Sequence, residues 1–348
     1  MKTLLHQLLA EHKLTKEEWQ KLIKGHTKEL QSYAAKLAQE TALARFGHDV
    51  YIRGLIEFTN ICKNDCYYCG LRCSNSHVSR YRLTEEDILD CCESGYELGF
   101  RTFVLQGGED PGFSDELLCG LVQKIKKRYP DCAVTLSVGE RPRAVYEAFF
   151  AAGADRYLLR HETANDDHYR LLHPENLSPQ IRKQCLYDLK EIGFQVGTGF
   201  LVGSPFQTAE NLAEDFLFIQ KLEPQMIGIG PFLPHGDTPF KNQPAGSLSL
   251  TLYLISLLRL AHPDALIPAT TAVGTLSEGG REQAILAGAN VIMPNLSPKS
   301  HRKDYALYDN KLSDGAEAAE AREALDARLA TIGYRTVTHR GDYQKRTL

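Results

Sequence analysis

From residue 50 to about 300, short apolar runs alternate with amphipathic stretches of helical period. The apolar runs fall at 55–58, 102–106, 133–138, 156–160, 195–200, 226–230, 265–270 and 290–293 and predict strands. The intervening stretches, at about 84–98, 114–129, 141–152, 178–192, 208–222, 248–261 and 279–287, predict helices. Several open on capping residues, such as Thr84 three before Asp87 and Ser114 ahead of Glu116 and Leu117, and several end at glycine, as at Gly99, Gly153, Gly193 and Gly288. Eight short buried strands separated by helices predict an α/β fold, a full parallel (β/α)8 barrel of TIM type. Residues 3–47 read as helices, with Leu4, Leu5, Leu8 and Leu9 on one face and a Thr15 cap before a second helix. Beyond about residue 309 the pattern changes. Residues 314–332 predict a solvent-facing helix with Ala318, Ala321, Leu325 and Leu329 inward, and 335–348 a polar, poorly ordered end. The expected organisation is a helical lead-in (1–49), the barrel (50–308) and a helical extension (309–348).

Composition narrows the class. The 348 residues are 43% hydrophobic and 24% charged, which suits a large globular core. The net charge of −4 comes without a basic patch, so no nucleic-acid partner is expected. No apolar run approaches a membrane span, and the first residues lead into a helix pattern instead of a signal sequence. A reducing cytoplasm is the expected compartment. Nine cysteines, an odd number in a long chain, argue against a disulfide framework.

The polar clusters follow the strands. After the first comes Cys62-Lys63-Asn64-Asp65-Cys66-Tyr67-Tyr68-Cys69, after the second Gly107-Gly108-Glu109-Asp110, and after the fourth Arg160-His161-Glu162-Thr163. The seventh leads to Thr270-Thr271. Barrel active sites sit at the carboxyl ends of the strands, where all these clusters fall.

Three thiols spaced C-x3-C-x2-C on one loop can grip three corners of a cubane 4Fe–4S cluster. A fully protein-ligated cluster takes four cysteines, so three leave one iron open to a ligand. Cys73 keeps a closed four-thiol zinc or electron-transfer site, and with it a non-catalytic carrier or scaffold, as the alternative. Zinc sites, however, favour two separated C-x2-C pairs, and one such pair is present. The remaining cysteines, 91, 92, 119, 132 and 185, read as buried small residues. Gly107 and Gly108 permit close backbone approach to a ligand, or form a tight turn. Arg160 and Glu162 alternate to one side, able to bind a carboxylate and a hydroxyl or amine, or to pair with each other. Arg182, on the following helix, is a second carboxylate partner or a solvated helix residue. Thr270 and Thr271 offer hydroxyls to a polar substrate, or cap a helix. Gly280 and Arg281, at the start of the last barrel helix, make a candidate anion site.

The cysteine motif, with an aromatic residue before its last thiol, is that of the radical S-adenosylmethionine (SAM) enzymes. Further segments, VLQGGEDP (104–111), DRYLLRHETAN (155–165), MIGIGPF (226–232), IPATTA (267–272) and GANVIMPN (288–295), resemble the HydE family of FeFe-hydrogenase maturases. The resemblance covers about residues 50–308. It implies that Cys62, Cys66 and Cys69 hold a 4Fe–4S cluster whose open iron chelates SAM. It implies SAM contacts at Tyr68, Gly107, Gly108, Glu109, Ser137, Glu162 and Arg182, and a substrate cavity lined by Arg160, Thr270, Thr271 and Tyr305. The implied chemistry is reductive cleavage of SAM to a 5′-deoxyadenosyl radical that acts on a small organometallic substrate, a cysteine-bound iron–carbonyl–cyanide synthon. The implied partners are a tyrosine-cleaving radical SAM maturase, a scaffold GTPase and a reductant such as ferredoxin or flavodoxin. Some relatives carry a C-terminal cysteine cluster; this chain has no cysteine there, so no second cluster is expected. Biotin synthase and methylornithine synthase are similar barrels, and the latter keeps an amino-acid-like substrate as the alternative.

Overall fold

The computed structural model describes residues 1–313 and 318–345. Three helices lead in: α1 (Lys2–Glu11), α2 (Lys16–Lys24) and α3 (Lys28–Phe46). The barrel then begins with β1 (Asp49–Ile52) and β2 (Gly54–Thr59), one strand interrupted at Arg53, followed by α4 (Glu85–Glu97) and β3 (Thr102–Gly107). Next come α5 (Asp115–Arg128), β4 (Ala133–Ser137), α6 (Arg143–Ala151) and β5 (Arg156–Leu158). The second half runs α7 (Asp166–Leu172), α8 (Pro179–Ile192), β6 (Gln195–Thr198), β7 (Leu201–Val202), α9 (Ala209–Leu222), β8 (Met226–Ile227), β9 (Gly230–Pro231) and α10 (Leu248–Ala261). It ends with α11 (Thr271–Leu276), α12 (Gly280–Leu286), β10 (Val291–Ile292), α13 (Arg322–Ala330) and β11 (Arg335–Val337).

The sheet is parallel in the order β2-β3-β4-β5-β6-β8. The seventh barrel position, 265–270, forms no regular strand. Bridges from Leu266 to Met226 and from Pro268 to Val291 hold it, because Pro268 cannot donate to a ladder. The barrel closes where Tyr51 and Ile52 pair with Val291 and Ile292, and Leu55 with Asn295. The fifth and sixth strands are split where Gly199 meets Gly228: a Cβ on Gly199 would lie 1.8 Å from the Gly228 carbonyl oxygen. That near-contact shortens both runs relative to the sequence pattern.

The caps form as the sequence predicts. Thr84 accepts from the Asp87 amide while Asp87 accepts in return from Thr84. The lead-in helices pack on the barrel wall. Trp19 of α2 stacks on Phe216 of α9 at 4.2 Å, and α3 lies over α10, whose sequence is almost wholly apolar and accordingly buried.

The tail departs from expectation. Residues 314–317 of its predicted helix, and 346–348, lie outside the described residues; α13 starts only at Arg322, with Leu325 and Leu329 buried. Residues 335–345 are not a loose polar end. β11 pairs in parallel with β1, and the chain beyond it runs under the barrel. There the fully buried Arg156 guanidinium donates to Asp342 (2.6 Å), the Arg340 carbonyl (2.8 Å) and Thr102 (2.9 Å), and Arg340 pairs with Asp155 (2.8 Å). These polar side chains are ordered because they answer charges on the barrel floor.

Candidate active site at the barrel mouth

The carboxyl ends of the strands surround a cavity of about 340 Å³, within the range of small-molecule sites. Cys62, Cys66 and Cys69 lie on its wall. Cys73 is exposed, and its amide closes the loop on the Asn64 carbonyl (2.9 Å).

The loop is braced from behind. Arg72 forks onto Asp65 (2.7 and 2.5 Å), which lies well below the usual carboxylate range because of that bond. Arg80 gathers the carbonyls of Asn60, Leu71, Arg72 and Asn75 at 2.6–3.0 Å. Sequence reasoning missed both arginines; a cation among loop carbonyls has no spacing signature. Burial pushes the Cys69 thiol up to about 12 and raises Cys62 and Cys66 as well. Raised in this way, the three thiols keep their protons at neutral pH in the metal-free chain.

Tyr68, Gly107, Gly108, Glu109, Ser137, Glu162 and Arg182 all reach the same cavity. The Tyr68 hydroxyl lies 3.1 Å from His173 Nε2. Burial lowers His173 to about 3, so its ring is neutral; its Nδ1–H donates to the Tyr169 carbonyl, leaving Nε2 to accept from Tyr68. Gly108 serves the cysteine loop directly: a Cβ there would fall 2.2 Å from the Ile61 carbonyl oxygen and 2.8 Å from Cys62 Cβ, whereas one on Gly107 would meet Thr59 at 2.8 Å. Glu109 is held by the Glu140 amide (3.1 Å) and by Lys63 (3.3 Å). Arg182 is buried against Glu140, Nε to Oε1 2.7 Å, and is no solvated helix residue.

Arg160, Thr270, Thr271 and Tyr305 line the cavity too. Arg160 Nη2 approaches Glu162 Oε2 at 3.2 Å, the mutual pairing weighed from the sequence. Yet neither atom makes a hydrogen bond of acceptable geometry, and Arg160 Nε is buried without one. Thr270 precedes α11, but its side chain does not cap that helix; its buried hydroxyl has no hydrogen-bond partner. Thr271 accepts from Arg281 Nη2 at 3.1 Å. Gly280 and Arg281 themselves stand behind this wall. Gly280 is pressed on the Val273 carbonyl oxygen, which a Cβ would meet at 2.1 Å, and Arg281 contributes to a separate pocket.

Two cavity residues escaped sequence reasoning. Glu57, fully buried on β2, takes Lys311 Nζ at 2.6 Å and Asn295 Nδ2 at 2.9 Å. A carboxylate inside an apolar strand was the available signal. Lys311 comes from beyond the barrel and sits 5.0 Å above the Tyr305 ring; nothing in its local sequence marks it.

The residues fit a cluster and SAM. Three thiols share one wall, carboxylates and guanidinium groups suited to an amino acid lie beside them, and several of those polar atoms, though in ion-pair contact, are buried without a hydrogen bond within the chain.

Comparison with known proteins agrees. Residues 56–219 match the radical SAM superfamily. The chain is 48% identical over 277 residues, 80% of its length and 79% of the relative's, to the [FeFe] hydrogenase maturase subunit HydE of Thermotoga maritima. It is 29% identical over 271 residues to 3-methylornithine synthase of Methanosarcina acetivorans, covering 77% of this chain and 76% of that one. A crystal structure of methylornithine synthase (PylB) superposes with a TM-score of 0.85 at 27% identity, covering 96% of this chain and 97% of that one.

Proposed function

The chain is a radical SAM enzyme and belongs to the HydE family of FeFe-hydrogenase maturases, and from that premise we propose that the barrel-mouth cavity holds one 4Fe–4S cluster on Cys62, Cys66 and Cys69, with SAM beside it. The observation that carries this reading is the placement of those three thiols on the cavity wall while Cys73 faces solvent. Such a cluster, once reduced by one electron and with SAM at its open iron, would supply that electron to the sulfonium, breaking its bond to C5′ to give methionine and a 5′-deoxyadenosyl radical.

The chain's own residues do the rest. Arg182, kept in place by Glu140, takes the SAM carboxylate, and Glu162 and Glu109 face its amino and ribose groups. Tyr68, Gly107, Gly108 and Ser137 complete that side of the wall. Leu201, Phe232, Leu233 and Met293 keep bulk water from the reacting atoms. On the far wall Arg160, Thr270, Thr271 and Tyr305 bind the substrate. Lys311, paired with Glu57, adds a cation there.

The proposed substrate is a cysteine-bound iron–carbonyl–cyanide synthon. A tyrosine-cleaving radical SAM maturase supplies it, a scaffold GTPase receives the product, and a ferredoxin or flavodoxin provides electrons. The proposed setting is the cytoplasm; among the described residues no helix is long and apolar enough to cross a membrane. A second reading, an amino-acid-like substrate, is favoured by the likeness to methylornithine synthase. Conversion of lysine to 3-methylornithine by the reconstituted protein would establish it.

The primary test is EPR of anaerobically reconstituted, dithionite-reduced protein. A reduced 4Fe–4S signal that shifts on adding SAM is expected. A signal indifferent to SAM, at full iron and sulfide content, overturns the open-iron reading in favour of a closed cluster.

A further inference from the structure

Glu162 lies on the cavity wall with a φ of 64°, a left-handed conformation that residues with a side chain avoid. A turn of this kind persists only where its surroundings impose it. Part of the restraint is backbone pairing with the fifth strand: the Glu162 amide donates to the Gly199 carbonyl (3.0 Å), and the Leu201 amide donates to the Glu162 carbonyl (3.1 Å).

The other part comes from a helix outside the cavity. Asp215, in the middle of α9, is completely buried. Its Oδ1 accepts from the Ala164 amide at 2.5 Å and lies 3.3 Å from His161 Nε2, a packing contact without hydrogen-bond geometry. His161 is equally buried, with Nδ1 2.9 Å from the Thr198 hydroxyl. One carboxylate oxygen thus touches the chain on both sides of Glu162. Asp215 gains little for itself by this. Its Oδ2 has no hydrogen-bond partner, and burial raises its pKa while lowering that of His161. An apolar residue at this core position would avoid that desolvation cost. The arrangement makes sense as a brace.

We propose that Asp215 is a positioning residue for SAM: acting through His161 and the Ala164 amide, it fixes the turn that presents Glu162 to the cavity, and so sets SAM affinity from outside the cavity wall. The proposal rests on the reading of the cavity as a SAM site. Released from the brace, the turn would relax toward ordinary φ, and the Glu162 carboxylate would leave the place from which it now faces both the cavity and Arg160.

SAM dissociation constants, read from the EPR change of reduced holoprotein, test this. Asp215→Ala is expected to weaken SAM by about tenfold or more, with cluster iron and sulfide unchanged. Asp215→Asn is expected to stay within about threefold of the parent, because its amide oxygen still accepts from Ala164. Leu222→Ala, a cavity-forming change at the far end of α9, is expected to lower the melting temperature without altering SAM affinity. Should Asp215→Ala fail to load a cluster, His161→Phe carries the test: it keeps a ring against Phe218 and removes the contact to Asp215, with about a fivefold loss expected. Parent-like SAM affinity in Asp215→Ala or His161→Phe overturns the proposal, as does an equal loss in Leu222→Ala. A parent protein whose signal ignores SAM overturns instead the reading on which the proposal rests.

Discussion

Two arginines, one on β5 and one just beyond its end, show how differently the ends of this barrel are built. Arg156 opens β5 at the floor, and Arg160 lies four residues on, at the mouth. Every nitrogen of the Arg156 guanidinium has an acceptor: Gln195, Thr102, the Arg340 carbonyl and Asp342. Arg160 has one ion-pair contact of poor geometry and a buried Nε without a partner. Arg53, near the floor, keeps one unpartnered Nε as well, so the contrast is one of degree. At the floor the protein supplies its own counter-charges. At the mouth it brings polar groups together and leaves part of their bonding to be completed from outside, which is how a binding site differs from a structural network.

The strongest way to break this contrast is at the thiols. Cys69→Ser is expected to abolish cluster content and any response to SAM, whereas Cys73→Ser keeps both; iron and sulfide analysis with EPR decides. Next comes the mouth's own satisfied pair. Lys311→Met strands the Glu57 carboxylate, which keeps only Asn295, and is expected to cost about 3–5 kcal/mol in chemical denaturation. Adding Glu57→Gln should restore part of that loss. At the floor, Arg156→Met should cost about 3 kcal/mol with SAM affinity unchanged, because Asp342 retains Arg340. The same network predicts a pH dependence. Burial opposes the Asp342 charge, but Arg340 and Arg156 hold its pKa down to about 2, below the unfolded value of about 3.9. Its contribution to stability is therefore complete above about pH 5 and lost as the pH falls towards 2, a loss that Arg156→Met should diminish. The smallest effect belongs to the SAM side of the wall. Arg182→Gln should weaken SAM by about 2 kcal/mol, roughly thirtyfold, in an EPR titration; it also strands the buried Glu140 carboxylate, so adding Glu140→Gln should recover stability without recovering SAM affinity.

The barrel was legible because its strands are buried on both faces and its helices on one, so pattern and architecture coincide. The strand-end rule alone then collects Cys62, Cys66, Cys69, Glu162 and Thr270 at one mouth, where the cavity has them. What escaped was what depends on distance along the chain. Lys311 meets Glu57 from 254 positions away, and Asp342 meets Arg156 from 186; periodicity carries no trace of either. The helices α7 and α11, 7 and 6 residues long, show no clear amphipathic period; α12 is as short but stands between Gly279 and Gly288, which mark its ends. The polar run 335–345 looked loose because its charges have partners only once the floor exists.

The pairing of β11 with β1 also has a consequence for how the molecule comes into being. Asp49 is bonded to a partner 286 residues downstream, Arg335. A ribosome releases the eight strand positions well before it releases the segment that lies beneath them. During synthesis the nascent barrel therefore spends time with Arg156 lacking its carboxylate partner and β1 presenting an open edge, a state prone to sticking to its neighbours. Contacts of such long range also make folding slow. The protein should accordingly be most vulnerable in the interval between completing its walls and closing its floor.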